Sequence, residues 1–377
     1  MKVAVIKLGS RVSITSRGTS GGTGEVLSII KMLTTSGVNV DVYTEILDKD
    51  IIDGLDFNIY DIRDTYNDIN NRQYDALLVL NGNVNYFGGV DSPAQTLNYN
   101  VINNFKGKVF YILCDCNLLL NQIWPSVSRK SWANDYKQED IEITRDDIVY
   151  ISQPRDIDKL KTKIAKTGIK INKIIHYPFE KFPLITLDYK EINNDYEYDI
   201  SYGGTFRGGK REKDMIKFYF GYSDDIKVEM FGKIKESNFN KSSIVGLRPP
   251  EFNKSVSYND FSDKMRNSLS TIIIGDPLYK ELDDLAQRIY ESIMAGNIVF
   301  IDDSYDYNKR VFSNPDLVRF NYVSSRKDVE NRIKLIKYKP AVRDYIVNLQ
   351  RKDTEIDKLK YCNDFVDIIS REVNSND

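Results

Sequence analysis

The chain has 377 residues, 41% hydrophobic, 29% charged and 12% aromatic, a balance that excludes collagen-like fibres, largely disordered chains and membrane-spanning bundles. At roughly 150 residues per domain the length predicts two domains. Lys and Arg number 53 against 55 Asp and Glu, a net charge of -2, so a nucleic-acid partner would have to be met by a local basic face.

In chain order, Val3–Leu8 reads as a first strand, and nothing there has the build of a signal peptide. Residues 9–25, GSRVSITSRGTSGGTGE, form a glycine- and hydroxyl-rich segment ending in Glu25. It lacks a P-loop lysine and the GxGxxG spacing, and reads as a loop that contacts a sugar or base. A helix is expected from about Gly24, with Val26, Ile29, Ile30 and Leu33 on one face and Gly37 ending it. Strands follow at Val38–Tyr43, Ala76–Leu80, Val109–Asp115, Ile148–Ser152 and Ile169–His176, with a helix starting near Ser92 and Pro93. Tyr86, Phe87, Gly88 and Gly89 set two aromatics beside a glycine turn, to support a base or sugar or to cap the core. Asp115 closes its strand, where a desolvated carboxylate can serve as general base; a cap or turn role is at least as common for an isolated Asp.

Residues Tyr177–Glu197 hold two prolines, several charges and no periodicity, and are the expected linker. Beyond them, Tyr198–Tyr202, Lys227–Phe231, Thr271–Ile274 and Ile298–Ile301 read as strands, with helices near 211–220 and 283–295. Such alternation implies an α/β protein with two Rossmann-like lobes, 1–180 and 195–352. Residues 353–377 form a C-terminal helix, with Ile356, Leu359, Cys362, Val366 and Ile369 on a stripe that packs back on the first lobe.

The segment 203–212, GGTFRGGKRE, follows a strand and opens a helix, so its backbone N–H groups and Arg207, Lys210 and Arg211 face an anion such as a diphosphate. Arg211 stands where a Walker A motif needs Ser or Thr, which argues against a P-loop ATPase. Arg288 and Glu291, three residues apart on a helix, make either an ordinary surface ion pair, the commoner case, or a phosphate and ribose contact. Three cysteines, Cys114, Cys116 and Cys362, and a single histidine, His176, give no zinc spacing and no disulfide framework. His176 reads as a half-buried strand residue.

Several of these segments, in the same order, resemble the DNA β-glucosyltransferase family of T-even bacteriophages. They are MKVAVI at 1–6, NYFGG at 85–89, IWPSV at 123–127 with Trp132, YGGTFRGGKRE at 202–212, MFG at 230–232, IIGD at 273–276 and RIYESIMA at 288–295. The resemblance implies the GT-B fold, with a cleft between its lobes. It implies an enzyme that transfers glucose with inversion from UDP-glucose to 5-hydroxymethylcytosine in double-stranded phage DNA, masking that DNA from restriction. The setting it implies is the cytoplasm of an infected bacterium, with no membrane partner, and a monomer is expected.

Carried over position by position, the resemblance implies that Asp115 removes the acceptor proton and that Glu25 holds the sugar. Arg207, Arg211 and Arg288 would neutralise the departing diphosphate, Glu291 would bind the ribose and the backbone near Val256 would read uracil. Gly204, Thr205 and Asp276 fall in the UDP-sugar site and Tyr279 near a divalent cation, Mg or Mn. Tyr86, Phe87, Gly88 and Gly89 lie where an extruded nucleotide would sit. Around Glu25 the chain is richer in glycine than the family, and one extra residue precedes Arg288. Another UDP-sugar such as arabinose, a hydroxymethyluracil acceptor, and transfer to a small molecule or glycan therefore stay open.

Overall fold

The computed structural model describes residues 1–7, 21–44, 57–61, 68–80, 101–114, 145–166, 171–206 and 208–375. The chain divides into two compact units, Met1–Phe179 with Asp357–Asp377, and Glu180–Ile356.

The first unit is built on seven strands: β1 Lys2–Lys7, β2 Asn39–Thr44, β3 Asn58–Asp61, β4 Ala76–Leu80, β5 Lys108–Leu113, β6 Val149–Ser152 and β7 Lys173–His176. Every pairing is parallel and the order is β3-β2-β1-β4-β5-β6-β7. A parallel sheet is covered on both faces, which is why Ala76–Leu80 is buried at every position instead of alternating. Helix α1, Gly21–Thr35, leads into β2 and buries Val26, Ile29, Ile30 and Leu33. It ends through Gly37 at φ 74, a left-handed position that glycine takes without strain. The helix begins three residues before the expected start, so Glu25 sits inside it and not on a loop. Strand β5 stops at Leu113, and Asp115 lies outside the described residues. Of the helix expected near Ser92, residues 101–104 are helical with Val101 and Ile102 buried, and the start lies outside the described residues.

The C-terminal helix, Lys358–Asn374, belongs to this unit and packs against α1. Its inward face keeps part of the expected stripe, with Cys362 and Ile369 buried, but adds Tyr361 and Phe365 and leaves Leu359 55% exposed. Burying a large apolar side chain is worth about 1.5–3 kcal/mol, so the two aromatics outweigh one leucine in setting the rotation. Tyr177 packs 5.0 Å from Tyr361 and 5.1 Å from Phe365, centroid to centroid, and its hydroxyl donates to the Tyr361 carbonyl at 2.6 Å.

The second unit holds β8 Tyr198–Thr205, β9 Val228–Lys233, β10 Glu251–Asn253, β11 Ser268–Ile273, β12 Ile298–Asp302 and β13 Tyr322–Val323, all parallel. Their order is β10-β9-β8-β11-β12-β13. Strands β10 and β13, three and two residues long, are too short for a periodic signal. The helices that bear on the site are α2 Lys210–Tyr219, α3 Tyr258–Arg266, α4 Pro277–Leu282 and α5 Arg288–Ala295. The helix expected over 283–295 is confined to α5, and α4 is a further helix ahead of that range. Asp283, at φ 56, ends α4 by donating its N–H to the Tyr279 carbonyl, a left-handed cap that Asp tolerates.

The expected linker is only partly one. Residues 180–197 belong to the second unit, where Phe182, Leu184 and Ile185 are buried and the Lys190 N–H donates to the Met294 carbonyl at 2.8 Å. Pinning by isolated hydrogen bonds and short helical turns leaves no periodicity in sequence. Among the described residues no helix is long and apolar enough to cross a membrane.

Candidate functional site

In the second sheet the winding reverses between β8 and β11, and a crevice at the carboxyl ends of such strands is where ligands of this architecture bind. The residues there start with the glycine motif. Gly203 and Gly204 do not form the expected turn; β8 continues to Thr205, pairing Gly203 with Phe231, Gly204 with Gly232 and Thr205 with Lys233. The reason is steric. A Cβ on Gly232, at φ 125, would lie 2.0 Å from the Gly204 carbonyl oxygen, and one on Gly203 would lie 2.5 Å from the Phe231 ring. The two glycine motifs, distant in sequence, let β8 and β9 run in contact to their ends.

Beyond the strand, Gly209, φ 73, starts α2 without a side-chain cap, leaving its first N–H groups to an incoming acceptor. Arg211 lies half-buried in that first turn, donating from Nη2 to the Tyr202 hydroxyl at 3.0 Å, while its Nε is buried without a partner among the described residues. Thr205 is exposed at the strand end. Arg207 and the Lys210 side chain lie outside the described residues.

Across the reversal point, Gly275 follows β11 closely; a Cβ there would lie 2.0 Å from the Tyr305 ring. Asp276 caps α4 by accepting from the Leu278 N–H at 3.0 Å, with Pro277 in the first helical position. Tyr279 on α4 is half-buried. Arg288 opens α5, and its Nε donates to Glu291 Oε2 at 3.0 Å. The ion-pair reading is therefore correct in geometry, but the pair is sunk into the protein, 30% and 13% exposed. The Arg288 guanidinium also lies over the Phe261 ring, 4.7 Å from its centroid. Phe261 stacks on Phe231, with ring centroids 5.5 Å apart, and both Phe261 and Val256 pack against the cluster of Phe231, Met265 and Ala295. Sequence reasoning missed Phe261 and Tyr305, which carry no motif of their own.

The structure thus brings Gly204, Arg211, Val256, Asp276, Arg288 and Glu291 to one unit's carboxyl edge, a cationic, hydrogen-bonding rim suited to a nucleoside diphosphate. A cavity of about 400 Å³ opens elsewhere, at the amino ends of β8, β9 and β10, beside Tyr198, Val228 and Glu251. It has neither helix N-termini nor the glycine motif, and does not compete with the rim.

In the first unit Glu25 is half-buried on α1. Asp115 follows Cys114 at the end of β5, and Tyr86, Phe87, Gly88 and Gly89 follow β4; all five lie outside the described residues. His176 ends β7, half-buried, with Nδ1 3.1 Å from the Pro154 carbonyl oxygen. Burial, then the charge of Arg155, holds its pKa below 6.5. Cys114 and Cys362 are buried, and among the described residues no three His, Cys, Asp or Glu side chains gather.

Two doubly wound parallel sheets define an α/β fold of the GT-B glycosyltransferase type. Residues 1–188 match the family described as bacteriophage T4 β-glucosyltransferase. A DNA β-glucosyltransferase of Enterobacteria phage T4 is 28% identical over 359 residues, covering 93% of each chain. Two solved structures of the phage T4 enzyme share the fold: one in complex with UDP and Mn2+, TM-score 0.77 at 23% identity, and one with its UDP-glucose substrate, TM-score 0.75 at 21% identity. Each alignment covers 99% of this chain and 100% of that one. The chain belongs to the bacteriophage T4 β-glucosyltransferase family.

Proposed function

We propose that this protein transfers glucose from UDP-glucose, with inversion, to the hydroxymethyl group of 5-hydroxymethylcytosine in double-stranded phage DNA. The observation that carries the donor half is the carboxyl edge of the second unit, which holds an uncapped helix start, Arg211 and the Arg288–Glu291 pair. Family membership, through a relative that acts on DNA, carries the acceptor half.

In the proposed mechanism Asp115 accepts the hydroxymethyl proton as the oxygen attacks C1 of glucose. The bond from C1 to the diphosphate breaks in the same displacement, and the configuration at C1 inverts. Arg207, Arg211 and Arg288 take up the charge growing on UDP, aided by the N–H groups at the start of α2. Glu291 accepts from the ribose hydroxyls, the backbone at Val256 reads uracil, Glu25 orients the sugar, and Gly204 and Thr205 let the diphosphate approach the strand end. Tyr86, Phe87, Gly88 and Gly89 border the extruded base.

Asp276, whose carboxylate caps α4, and Tyr279 on that helix offer the oxygen donors a hard cation prefers and would border a Mg or Mn ion bound with the diphosphate. When bound, such an ion supplies further charge neutralisation at the leaving group. The protein works as a monomer in the host cytoplasm, its first unit contacting DNA and its second holding the donor.

The test is to incubate duplex DNA carrying 5-hydroxymethylcytosine or 5-hydroxymethyluracil with a panel of UDP-sugars and weigh the digested nucleosides by mass spectrometry. A hexose on hydroxymethylcytosine is expected. A pentose adduct would change the donor and keep the mechanism; no adduct on either base, with UDP still bound, would reject DNA as acceptor. A duplex affinity that falls steeply with salt separates a DNA enzyme from one acting on small molecules or glycans.

A further inference from the structure

Tyr202 stands immediately before the glycine pair of β8, is 5% exposed, and has no part in the mechanism above. Its ring packs edge-on to Tyr219, with centroids 5.3 Å apart and planes at 77°. Tyr219 is itself pinned to the sheet, its hydroxyl donating to the Ile272 carbonyl and accepting from the Ile272 N–H at 3.2 Å. On its other side the Tyr202 ring lies against Gly204, where a Cβ would stand 3.1–3.3 Å from its outer atoms. The hydroxyl is therefore fixed in space, and it accepts from Arg211 Nη2 at 3.0 Å.

Arg211 needs such a hold. A cation in the first turn of a helix opposes the helix dipole, and a long guanidinium stem has several rotamers that reach water. Its buried Nε has no partner among the described residues and is left for an anion. Holding a cation in place before the anion arrives removes part of the ordering cost of binding.

We infer that Tyr202 is a positioning residue for the donor diphosphate: its hydroxyl holds the Arg211 guanidinium at the rim, and its ring occupies the space that any side chain at Gly204 would need. The inference rests on the reading of Arg211 as a diphosphate contact. Tyr305 fills the space beside Gly275 in the same manner, its hydroxyl donating to the Asp284 carbonyl at 3.0 Å, so both glycines flanking the reversal point are backed by a tethered tyrosine.

Tyr202→Phe keeps the ring and removes only the hydroxyl. Calorimetry of Tyr202→Phe, Arg211→Ala and the double variant with UDP, and with uridine as the probe that lacks phosphates, separates the cases. Tyr202→Phe is expected to weaken UDP about tenfold, the scale of a hydrogen bond to a charged group, to leave uridine affinity unchanged, and to have little further effect when Arg211 is already alanine. Equal losses for UDP and uridine, or the same loss in both backgrounds, would overturn the positioning role. A loss with Arg211→Ala and none with Tyr202→Phe would overturn it while leaving the donor site intact. Unchanged UDP affinity on Arg211→Ala would overturn the donor-site reading as well.

Discussion

The first sheet runs β3-β2-β1-β4-β5-β6-β7 and the second β10-β9-β8-β11-β12-β13, the same doubly wound order about β1 and β8, yet their carboxyl edges are finished by different means. After β8 only residues 206–209 precede the next helix, and glycines at 203, 204, 232 and 275 let backbone pack against backbone or aromatic rings. After β1, residues 8–20 intervene before α1. A short glycine connection can offer little but N–H groups and a few anchored cations, which is what a diphosphate requires. A longer connection can carry side chains to a sugar and an extruded base. In the proposed reaction, similar windings serve different halves of one transfer, and the difference lies in what joins the strands.

The sharpest way to break that division is Asp115→Ala. It should cut transfer about 10²–10⁴-fold, the usual range for a general base, and leave UDP-glucose binding in the second unit unchanged by calorimetry. Near-normal turnover would remove Asp115 from the mechanism.

A pair of glycine substitutions sharpens the comparison of edges. Gly232→Ala combines a positive φ with a 2.0 Å approach to the Gly204 carbonyl oxygen. It should destabilise the second unit by about 2–4 kcal/mol, seen as a lower melting temperature with weakened UDP binding. Gly37→Ala, at φ 74 with no atom within 4 Å, should cost only about 1–2 kcal/mol and spare UDP affinity. Equal penalties would mean that the contact between β8 and β9 matters no more than a helix cap.

Arg288→Ala comes next. Losing a charged contact to the diphosphate should raise the UDP dissociation constant about tenfold. An unchanged constant would restore the plain reading of Arg288 and Glu291 as a structural pair.

The smallest effect belongs to His176. As the only histidine it gives an uncrowded NMR titration, whose midpoint should lie below 6.5 because burial disfavours the charged ring. With the folded pKa depressed, the unfolded chain binds more protons between the two values. Stability from this site is therefore present above pH 6.5 and lost as pH falls through the folded pKa. His176→Asn should flatten that slope; a midpoint above 6.5 would contradict the burial argument.

Much of the scaffold was legible because its signals are local. Ala76–Leu80 read as a strand to the residue, and α1 showed in the spacing of Val26, Ile29, Ile30 and Leu33. Helix α4 and the late start of α5 were not legible, because α4 is only six residues long and Asp283 enters the left-handed region without glycine's signature. The inward face of the C-terminal helix was misread because helical spacing alone does not weigh Phe365 and Tyr361 against Leu359.

What the sequence determined by itself is the alternation that dictates two parallel α/β units, and the glycine-and-arginine spacing at 202–212 that calls for an anion. Both follow from short-range chemistry: apolar period, backbone freedom and charge. Only the tertiary structure decided that Gly204 meets Gly232, that Phe261 lies under Arg288, and that Tyr202 holds Arg211. Those contacts join residues brought together by strand register and helix packing, and register is a property of the whole sheet that no single segment encodes.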